Sequence, residues 1–158
     1  MADRSVAPGE LVHATAVLVG DRGVLITGAS GSGKSALARA LIDRALARGA
    51  YAALVSDDQC LLQQCAGRLL CIAPQILKGG LEVWGSGLHA IDCEPAAVIH
   101  LALEFVDSAN AIRFGADELT QLQGVAIRHL RLPKREVEAA CRAVEASLLQ
   151  PQWNKIPK

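Results

Sequence analysis

Residues 28–35 of this 158-residue chain read Gly28-Ala29-Ser30-Gly31-Ser32-Gly33-Lys34-Ser35. The stretch fits the pattern G-x-x-x-x-G-K-[ST] at every specified position. Glycines let the backbone turn tightly and direct successive N–H groups at phosphate oxygens, and the N-terminus of a following helix favours an anion. The stretch therefore predicts a loop that binds the phosphates of a nucleoside triphosphate. We expect Lys34 to reach the β- and γ-phosphates and the Ser35 hydroxyl to bind Mg²⁺.

The segments on either side of the loop favour this interpretation. Apolar runs at 15–19 and 24–27, separated by a Gly-Asp turn signal, predict a β-hairpin whose second strand leads into the loop. A helix is predicted from 35 to 48, with Gly49 as its C-terminal stop. The apolar residues predicted to share one face of this helix are Leu37, Leu41, Ile42, Ala45 and Leu46.

The rest of the chain predicts more strands than helices. The short apolar runs that predict strands are 51–55, 60–63, 69–72, 81–84, 98–103 and 127–132. The apolar residues that predict a final amphipathic helix are Val137, Ala140, Cys141, Val144 and Leu148. We therefore predict one α/β domain with a mixed, β-rich sheet over residues 13–150, preceded by an N-terminal extension (1–12) and followed by a C-terminal tail (151–158).

Composition and charge argue against several function classes. The formal net charge is zero and no basic run or basic–aromatic patch is present, so binding to nucleic acid or to an anionic membrane is not supported. No stretch approaches the roughly 20 apolar residues of a membrane span, and the N-terminal residues lack the apolar core of a secretory signal. The five cysteines are odd in number and contain no CxxC pair, which favours buried thiols in a reducing compartment over a disulfide framework or a zinc site. We expect a cytoplasmic protein.

Three acidic residues, in two segments of the chain, are candidate functional residues on chemical grounds. Asp57-Asp58 follows the strand after the loop's helix, where an α/β sheet places groups that contact ligands. One carboxylate could bind Mg²⁺ through water while its neighbour accepts the proton of an attacking hydroxyl, and a solvated turn is the alternative. Glu82 lies in an apolar strand between glycines. Chemistry alone leaves a metal ligand and an outward charge on an edge strand equally open for Glu82.

The order of these motifs resembles a known family. The phosphate loop, V-x-D-D, A-P-x-x-L and G-L-E-V-x-G-x-G, within residues 13–133, are similar to the catalytic domain of bacterial HPr kinase/phosphorylase in its short form, without an extra N-terminal domain. The resemblance implies a P-loop nucleotide-binding fold similar to that of phosphoenolpyruvate carboxykinase. It implies a kinase that uses ATP and Mg²⁺ to phosphorylate a serine of HPr, the phosphocarrier of the sugar phosphotransferase system, and so regulates carbohydrate metabolism. Reversal with inorganic phosphate and assembly into hexamers are also implied.

The resemblance further implies catalytic roles for individual residues. Lys34 matches the catalytic lysine, and Asp58 matches the carboxylate that accepts the proton in phosphorylation and donates it in the reverse reaction. His13 precedes Gly28 by fifteen positions, as the family's active-site histidine precedes its loop. Arg113, which begins an R-F-G segment, resembles the family's active-site arginine. Plainer roles for the last two are a histidine on a strand edge and a surface cation after a turn.

Three residues form the expected magnesium site. Ser35 matches the family's Mg²⁺-binding serine, and Glu82 matches a second Mg²⁺ ligand. Asp57, beside the expected proton acceptor, is the third candidate. The resemblance thus implies ATP and Mg²⁺ as cofactors, with HPr or an HPr-like phosphocarrier as the protein partner.

The chain departs from the family pattern at three places. Trp84 replaces an arginine, and an indole cannot donate the forked hydrogen bonds that a guanidinium makes to phosphate. Ala36 replaces an acidic residue after the loop serine, and the basic segment after the last strand is reduced to residues 133–135. These departures leave phosphorolysis open. Trp84 and Ala36 also keep open a catalytically weak ATP-binding sensor, and the loop by itself leaves open a P-loop kinase of a small metabolite.

Overall fold

The computed structural model describes residues 8–115 and 117–153, which form a strand-rich mixed α/β fold. Residues 1–7 of the predicted extension and residues 154–158 of the predicted tail lie outside the described residues. The elements are β1 (Glu10–Val12), β2 (Thr15–Val19), β3 (Arg22–Gly28), α1 (Lys34–Ala47), β4 (Ala52–Ser56), β5 (Cys60–Cys65), β6 (Arg68–Ile72), β7 (Gly80–Val83), β8 (Gly87–Ala90), β9 (Ala96–Val106), β10 (Leu119–Leu122), β11 (Val125–Pro133) and α2 (Val137–Leu149). Short 3₁₀ helices lie at Gln75–Leu77 and Ser108–Asn110.

The large sheet is branched at its longest strand. Its main strand order is β1-β5-β6-β9-β3-β2-β4, and β11 also pairs with β9. Strand β9 is parallel to both β3 and β11, whereas its pairing with β6 is antiparallel. Strand β10 pairs with β11, and β7 and β8 form a separate hairpin. Strand β1, within the predicted extension, pairs with β5.

This architecture confirms the predicted α/β fold with a mixed, β-rich sheet. Each apolar run that predicted a strand or helix overlaps an element of that type, with ends that differ by a few residues. Strands β1, β8 and β10 were not predicted, because they are short and bury few side chains. All four residues of β8, for example, are exposed to solvent, so no apolar alternation marks this strand in the sequence.

Helices α1 and α2 share one apolar cluster with the sheet, and a second cluster contains residues of β5, β6 and β9. The predicted apolar face of α1 is buried except at Leu46, which is 54% exposed. Leu46 follows Leu37 by nine residues, and at about 100° per residue this turns it to the opposite side of the helix. Neither helix in the described part of the chain is long and apolar enough to cross a membrane.

An ion pair joins the two helices. Arg44 of α1 donates to the Glu145 carboxylate of α2 from Nε at 2.7 Å and from Nη2 at 2.8 Å. The hydrogen bond from Arg44 lowers the pKa of the Glu145 carboxyl. The same hydrogen bond raises the pKa of the already basic guanidinium. Both groups therefore stay charged at neutral pH, and the pair holds α2 beside α1.

Strand direction places several chain segments at one edge of the sheet. Strand β2 lies between β3 and β4 and is antiparallel to both. The start of β2 and the ends of β3 and β4 therefore lie at the same edge. Residue His13 precedes β2, the glycine-rich loop follows β3, and Asp57-Asp58 follows β4. Helix α1 begins at this edge as well.

Candidate active site

The glycine-rich loop joins the end of β3 to the first turn of α1. Its backbone is left-handed at Gly31 (φ 76°) and Gly33 (φ 109°), a conformation that favours glycine. At Gly28, with φ 145°, an added Cβ would lie 2.7 Å from Ser32 Oγ and 3.0 Å from Phe105 Cβ. These positions exclude larger side chains, which leaves the loop backbone accessible to a ligand.

The loop holds donors that suit an anion. Helix α1 begins at Lys34, and the N–H groups of a helix's first turn have no intrahelical acceptor. The Lys34 side chain folds along the loop, where Nζ donates to the carbonyl oxygens of Gly28 (2.9 Å) and Ala29 (3.1 Å). The Ser32 hydroxyl is buried and has no hydrogen-bond partner among the described residues. A helix N-terminus, an ammonium group and an unpartnered hydroxyl therefore surround one small region.

Asp57 is the centre of a buried hydrogen-bond network. The residue is 6% exposed. Its Oδ1 accepts hydrogen bonds from the hydroxyls of Thr15 and Ser35, each at 2.8 Å. Oδ1 also accepts from the Asp58 amide at 3.1 Å, and Oδ2 accepts from the Glu82 amide at 3.0 Å. One carboxylate thus joins β2, the first turn of α1 and β7.

Asp58 forms a pair with His13 across 45 positions of sequence. His13 Nε2 lies 2.6 Å from Asp58 Oδ1, and both side chains are more than half exposed, at 53% for His13 and 70% for Asp58. The Asp58 backbone is left-handed (φ 71°), a conformation that aspartate tolerates better than most residues. Its carbonyl accepts from the Ala14 amide at 3.2 Å. The chain therefore holds this carboxylate at the surface of the site in an uncommon backbone conformation.

The β7–β8 hairpin forms another wall of the site. Leu81 of β7 is 1% exposed and belongs to the apolar cluster under α1, which anchors the hairpin to the body of the fold. The neighbouring Glu82 is exposed, and Trp84, directly after β7, is 94% exposed. The anchored strand thus carries a carboxylate and an indole on its solvent side.

A cavity of about 1060 Å³ brings most of the predicted site residues together. Its lining includes His13, Ser30, Gly31, Gly33, Lys34, Ser35, Asp57, Asp58 and Glu82. The loop residues Gly28, Ala29 and Ser32 do not line it. Arg113, the remaining predicted residue, does not line it either; it is exposed, and its guanidinium lies 5.2 Å from the Phe114 ring centroid.

Arg135 lines the cavity, although the sequence did not single it out as a site residue. It lies in the β11–α2 turn, where its backbone is left-handed (φ 67°) and its amide donates to the carbonyl of Ser32 at 2.7 Å. Its Nε donates to the carbonyl of Gly31 at 3.4 Å. The run of two basic residues after the last strand was the available signal, but only the fold brings this turn against the loop.

The residues of the cavity fit a magnesium–triphosphate complex. The glycine-rich loop offers the anion-binding donors, and Ser35, Asp57 and Glu82 offer oxygen ligands of the kind that Mg²⁺ prefers. Within residues 8–115 and 117–153, no three His, Cys, Asp or Glu side chains form a cluster that could hold a metal by themselves.

Comparison with protein families gives one match over nearly the whole chain. Residues 4–156 match the family described as HPr Serine kinase C-terminal domain. A curated HPr kinase/phosphorylase from Clostridium tetani is 29% identical over 163 aligned residues, which cover 96% of this chain and 52% of the relative. The relative from Clostridium beijerinckii is 31% identical and is covered over 50% of its length. The chain therefore spans about half the length of these curated relatives.

Comparison with solved structures supports the same fold. The structure of the Hpr(Ser) kinase/phosphatase from Coxiella burnetii aligns with a TM-score of 0.71 and covers 87% of each chain. The two sequences are 23% identical, so the likeness is one of fold. The strand-rich α/β fold is thus shared with a protein of known structure.

Proposed function

This chain belongs to the HPr serine kinase C-terminal domain family, and we propose that it is an ATP-dependent protein-serine kinase acting on HPr or an HPr-like phosphocarrier. One observation carries the proposal: a single cavity is lined by the glycine-rich loop, the Asp58–His13 pair and Glu82. The loop supplies groups that bind phosphates, and the carboxylates supply a proton acceptor and metal ligands. Phosphoryl transfer requires little more of a protein than these groups in the correct positions.

The loop and Lys34 bind the triphosphate in this proposal. The first-turn amides of α1 and the left-handed glycines provide N–H donors, and the partial positive charge of the helix N-terminus stabilises the anion. Lys34 exchanges its hydrogen bonds to loop carbonyls for contacts with the β- and γ-phosphates. Mg²⁺, held by Ser35, Asp57 and Glu82, would neutralise the negative charge that develops on the phosphate oxygens.

Asp58 accepts the proton of the attacking serine. The serine oxygen of the carrier forms a bond to the γ-phosphorus, the bond from this phosphorus to the bridging oxygen breaks, and ADP leaves. The hydroxyl proton passes to the Asp58 carboxylate. His13, 2.6 Å from the same carboxylate, holds Asp58 in position. A strong base is not required, because positioning and charge neutralisation supply most of the rate enhancement.

Incubation of the protein with ATP, Mg²⁺ and purified HPr tests the proposal. We expect phosphoserine on the carrier, detected by mass spectrometry, and no product on a carrier whose acceptor serine is replaced by alanine. Absence of phosphoserine at every carrier concentration would refute a kinase of HPr.

Two variants separate binding from chemistry. Lys34→Ala removes an ammonium group from the phosphate site, so we expect weaker ATP binding by calorimetry as well as lower turnover. Asp58→Asn keeps the shape of the side chain but not the proton acceptor, so we expect ATP binding within about twofold of the original protein and turnover lowered by about 10²-fold or more. Equal turnover in Asp58→Asn and the original protein would remove Asp58 from this role.

A nucleotide-gated sensor without turnover is the second candidate. Two residues of the cavity motivate it, because Trp84 and Ala36 stand where the family pattern has an arginine and an acidic residue. Tight ATP binding with no transfer to any carrier favours the sensor. Turnover that disappears in Asp58→Asn excludes it. Running the same assay backward, with phosphorylated carrier and inorganic phosphate, tests phosphorolysis.

We also propose the setting in which the protein acts. All five cysteines are free thiols, which suits the reducing cytoplasm. Phosphorylation of a sugar-system phosphocarrier there would regulate carbohydrate uptake and use. Assembly into hexamers and a catalytic role for Arg113 are further proposals drawn from the family resemblance. Light scattering of the purified protein and the turnover of Arg113→Ala test them separately.

A further inference from the structure

Trp84 is the most exposed large apolar side chain of the described residues. It follows β7 directly and lines the cavity next to Val83 and Glu82. Gly85, in the turn that leads to β8, and Gly87, the first residue of β8, both have positive φ and open space around the position of an added Cβ. At 94% exposure the indole does not fill the core, although Trp84 belongs to the cavity lining.

The cavity extends beyond the region that binds phosphates. Four residues of α1 line it, at spacings that place them on one face of the helix: Ala36, Arg39, Ala40 and Asp43. This helix wall runs for about 10 Å along α1 from Ala36 to Asp43, away from the loop. At about 1060 Å³ the cavity lies at the upper end of the usual range for small-molecule sites, so a triphosphate group alone does not fill it.

The chemistry of this extension suits a nucleoside. The two alanines have short side chains, so this part of the helix wall is apolar and leaves room for a ligand. At its polar end, Arg39 Nε donates to both carboxylate oxygens of Asp43, at 3.1 Å and 3.0 Å. Trp84, another residue of the cavity lining, carries a large and exposed aromatic side chain. A planar base needs an aromatic face and an apolar surface, and ribose hydroxyls need polar partners such as this carboxylate.

We propose that the base of the bound nucleoside triphosphate stacks on Trp84, and that the helix wall forms the rest of the base and ribose subsite. The inference rests on the proposed binding of a nucleoside triphosphate by the loop. It adds an aromatic base contact supplied by one of the residues at which this chain departs from the family pattern. Trp84 is then a residue for nucleotide affinity rather than for phosphate chemistry.

Calorimetric titration with two ligands tests the subsite. Magnesium-ATP contains base and ribose, whereas magnesium-tripolyphosphate contains neither. Truncating an aromatic side chain that stacks on a base weakens binding by about tenfold. We therefore expect Trp84→Ala to weaken ATP binding about tenfold and to leave tripolyphosphate binding unchanged, and Trp84→Phe to restore most of the ATP affinity. Trp153→Ala is the matched control, because Trp153 is 90% exposed but does not line the cavity.

Fluorescence gives a readout that does not depend on affinity. The chain has two tryptophans, so Trp153→Phe leaves Trp84 as the only indole. Stacking of a base on this indole changes its emission. We expect saturating magnesium-ATP to quench the emission of this variant, and magnesium-tripolyphosphate to leave it nearly unchanged.

The possible outcomes separate the subsite from the proposed function. If both ligands bind and Trp84→Ala does not change the ratio of their affinities, the base subsite is wrong and phosphate binding stands. If neither ligand binds the original protein, both proposals fail. If Trp84→Ala weakens binding of the carrier protein but leaves the ratio of the ATP and tripolyphosphate affinities unchanged, Trp84 contacts the protein partner and the base subsite is overturned.

Discussion

Replacing Thr15 with valine tests the buried network around Asp57. Thr15 is 0% exposed, and its Oγ1 donates to Asp57 Oδ1 at 2.8 Å. Valine keeps the branched shape and the strand preference but loses the hydroxyl. A hydrogen bond to a charged group stabilises a protein by about 1.5–3 kcal/mol. Asp57 keeps its other donors, so we expect Thr15→Val to lower the free energy of unfolding by about 1.5–2 kcal/mol.

Thermal unfolding followed by circular dichroism measures this loss. In a domain of this size each kcal/mol corresponds to about 2–4 °C, so the Tm should fall by about 3–8 °C. Thr27→Val on the neighbouring strand is the matched control. Thr27 Oγ1 donates to the neutral carbonyl of Leu103 at 3.4 Å, so its loss should cost less than about 0.5 kcal/mol. An equal Tm change in the two variants would refute the charged-network explanation.

Three further predictions concern pH, the loop backbone and thiol reactivity. The folded-state pKa of Glu145 is lowered from its ordinary value of 4.5, so its contribution to stability is present above that pH and is lost as pH falls through the folded-state value. The difference in unfolding free energy between the original protein and Glu145→Gln should therefore shrink below about pH 4.5 in acid titrations. Gly28→Ala should lower the Tm and abolish ATP binding, because the added Cβ would clash within the loop. Gly20→Ala, with nothing within 4 Å of the added Cβ, should cost only about 1 kcal/mol of left-handed backbone strain. Similar losses of stability in the two variants would contradict the steric reason. Burial raises the pKa of the Cys141 thiol to about 11. Iodoacetamide at pH 8 should therefore alkylate the exposed Cys65 well before Cys141, as measured by peptide mass spectrometry. The reverse order of alkylation would contradict the burial of Cys141.

Local patterns predicted the elements that bury an apolar face. The motif at residues 28–35 and Gly49 bracket α1, which the structure places at Lys34–Ala47, and Gly49 has the left-handed φ of 78° that the predicted stop requires. The prediction that Leu46 lies on the buried face was wrong. Its angle around the helix, and not its apolar character, decides that it faces solvent. Strand β8 had no such signal. Its four exposed residues are defined by pairing with β7 rather than by burial.

The candidate site likewise contains parts that a local sequence pattern predicts and parts that depend on contacts between distant residues. The donors of the loop follow one another in sequence, so a short motif was enough to predict them. The contacts of Asp57 with Thr15 and with the Glu82 amide join residues 42 and 25 positions apart, and no local pattern predicts such contacts. Arg135 reaches the loop from 104 positions away. Arg113 shares a sequence pattern with the family, but a shared pattern does not by itself bring a side chain to the cavity.

The sequence by itself determined the glycine-rich loop, the two helices and the buried strands, because backbone conformation and amphipathic spacing depend on near neighbours. Only the tertiary structure decided that His13, Asp58, Glu82 and Trp84 line one cavity. For Glu82 and Trp84 the physical reason is the burial of Leu81, which anchors β7 in the apolar cluster under α1. For His13 and Asp58 it is the position of β2, antiparallel between β3 and β4. This arrangement brings the start of one strand and the ends of two others to the same edge, where α1 begins.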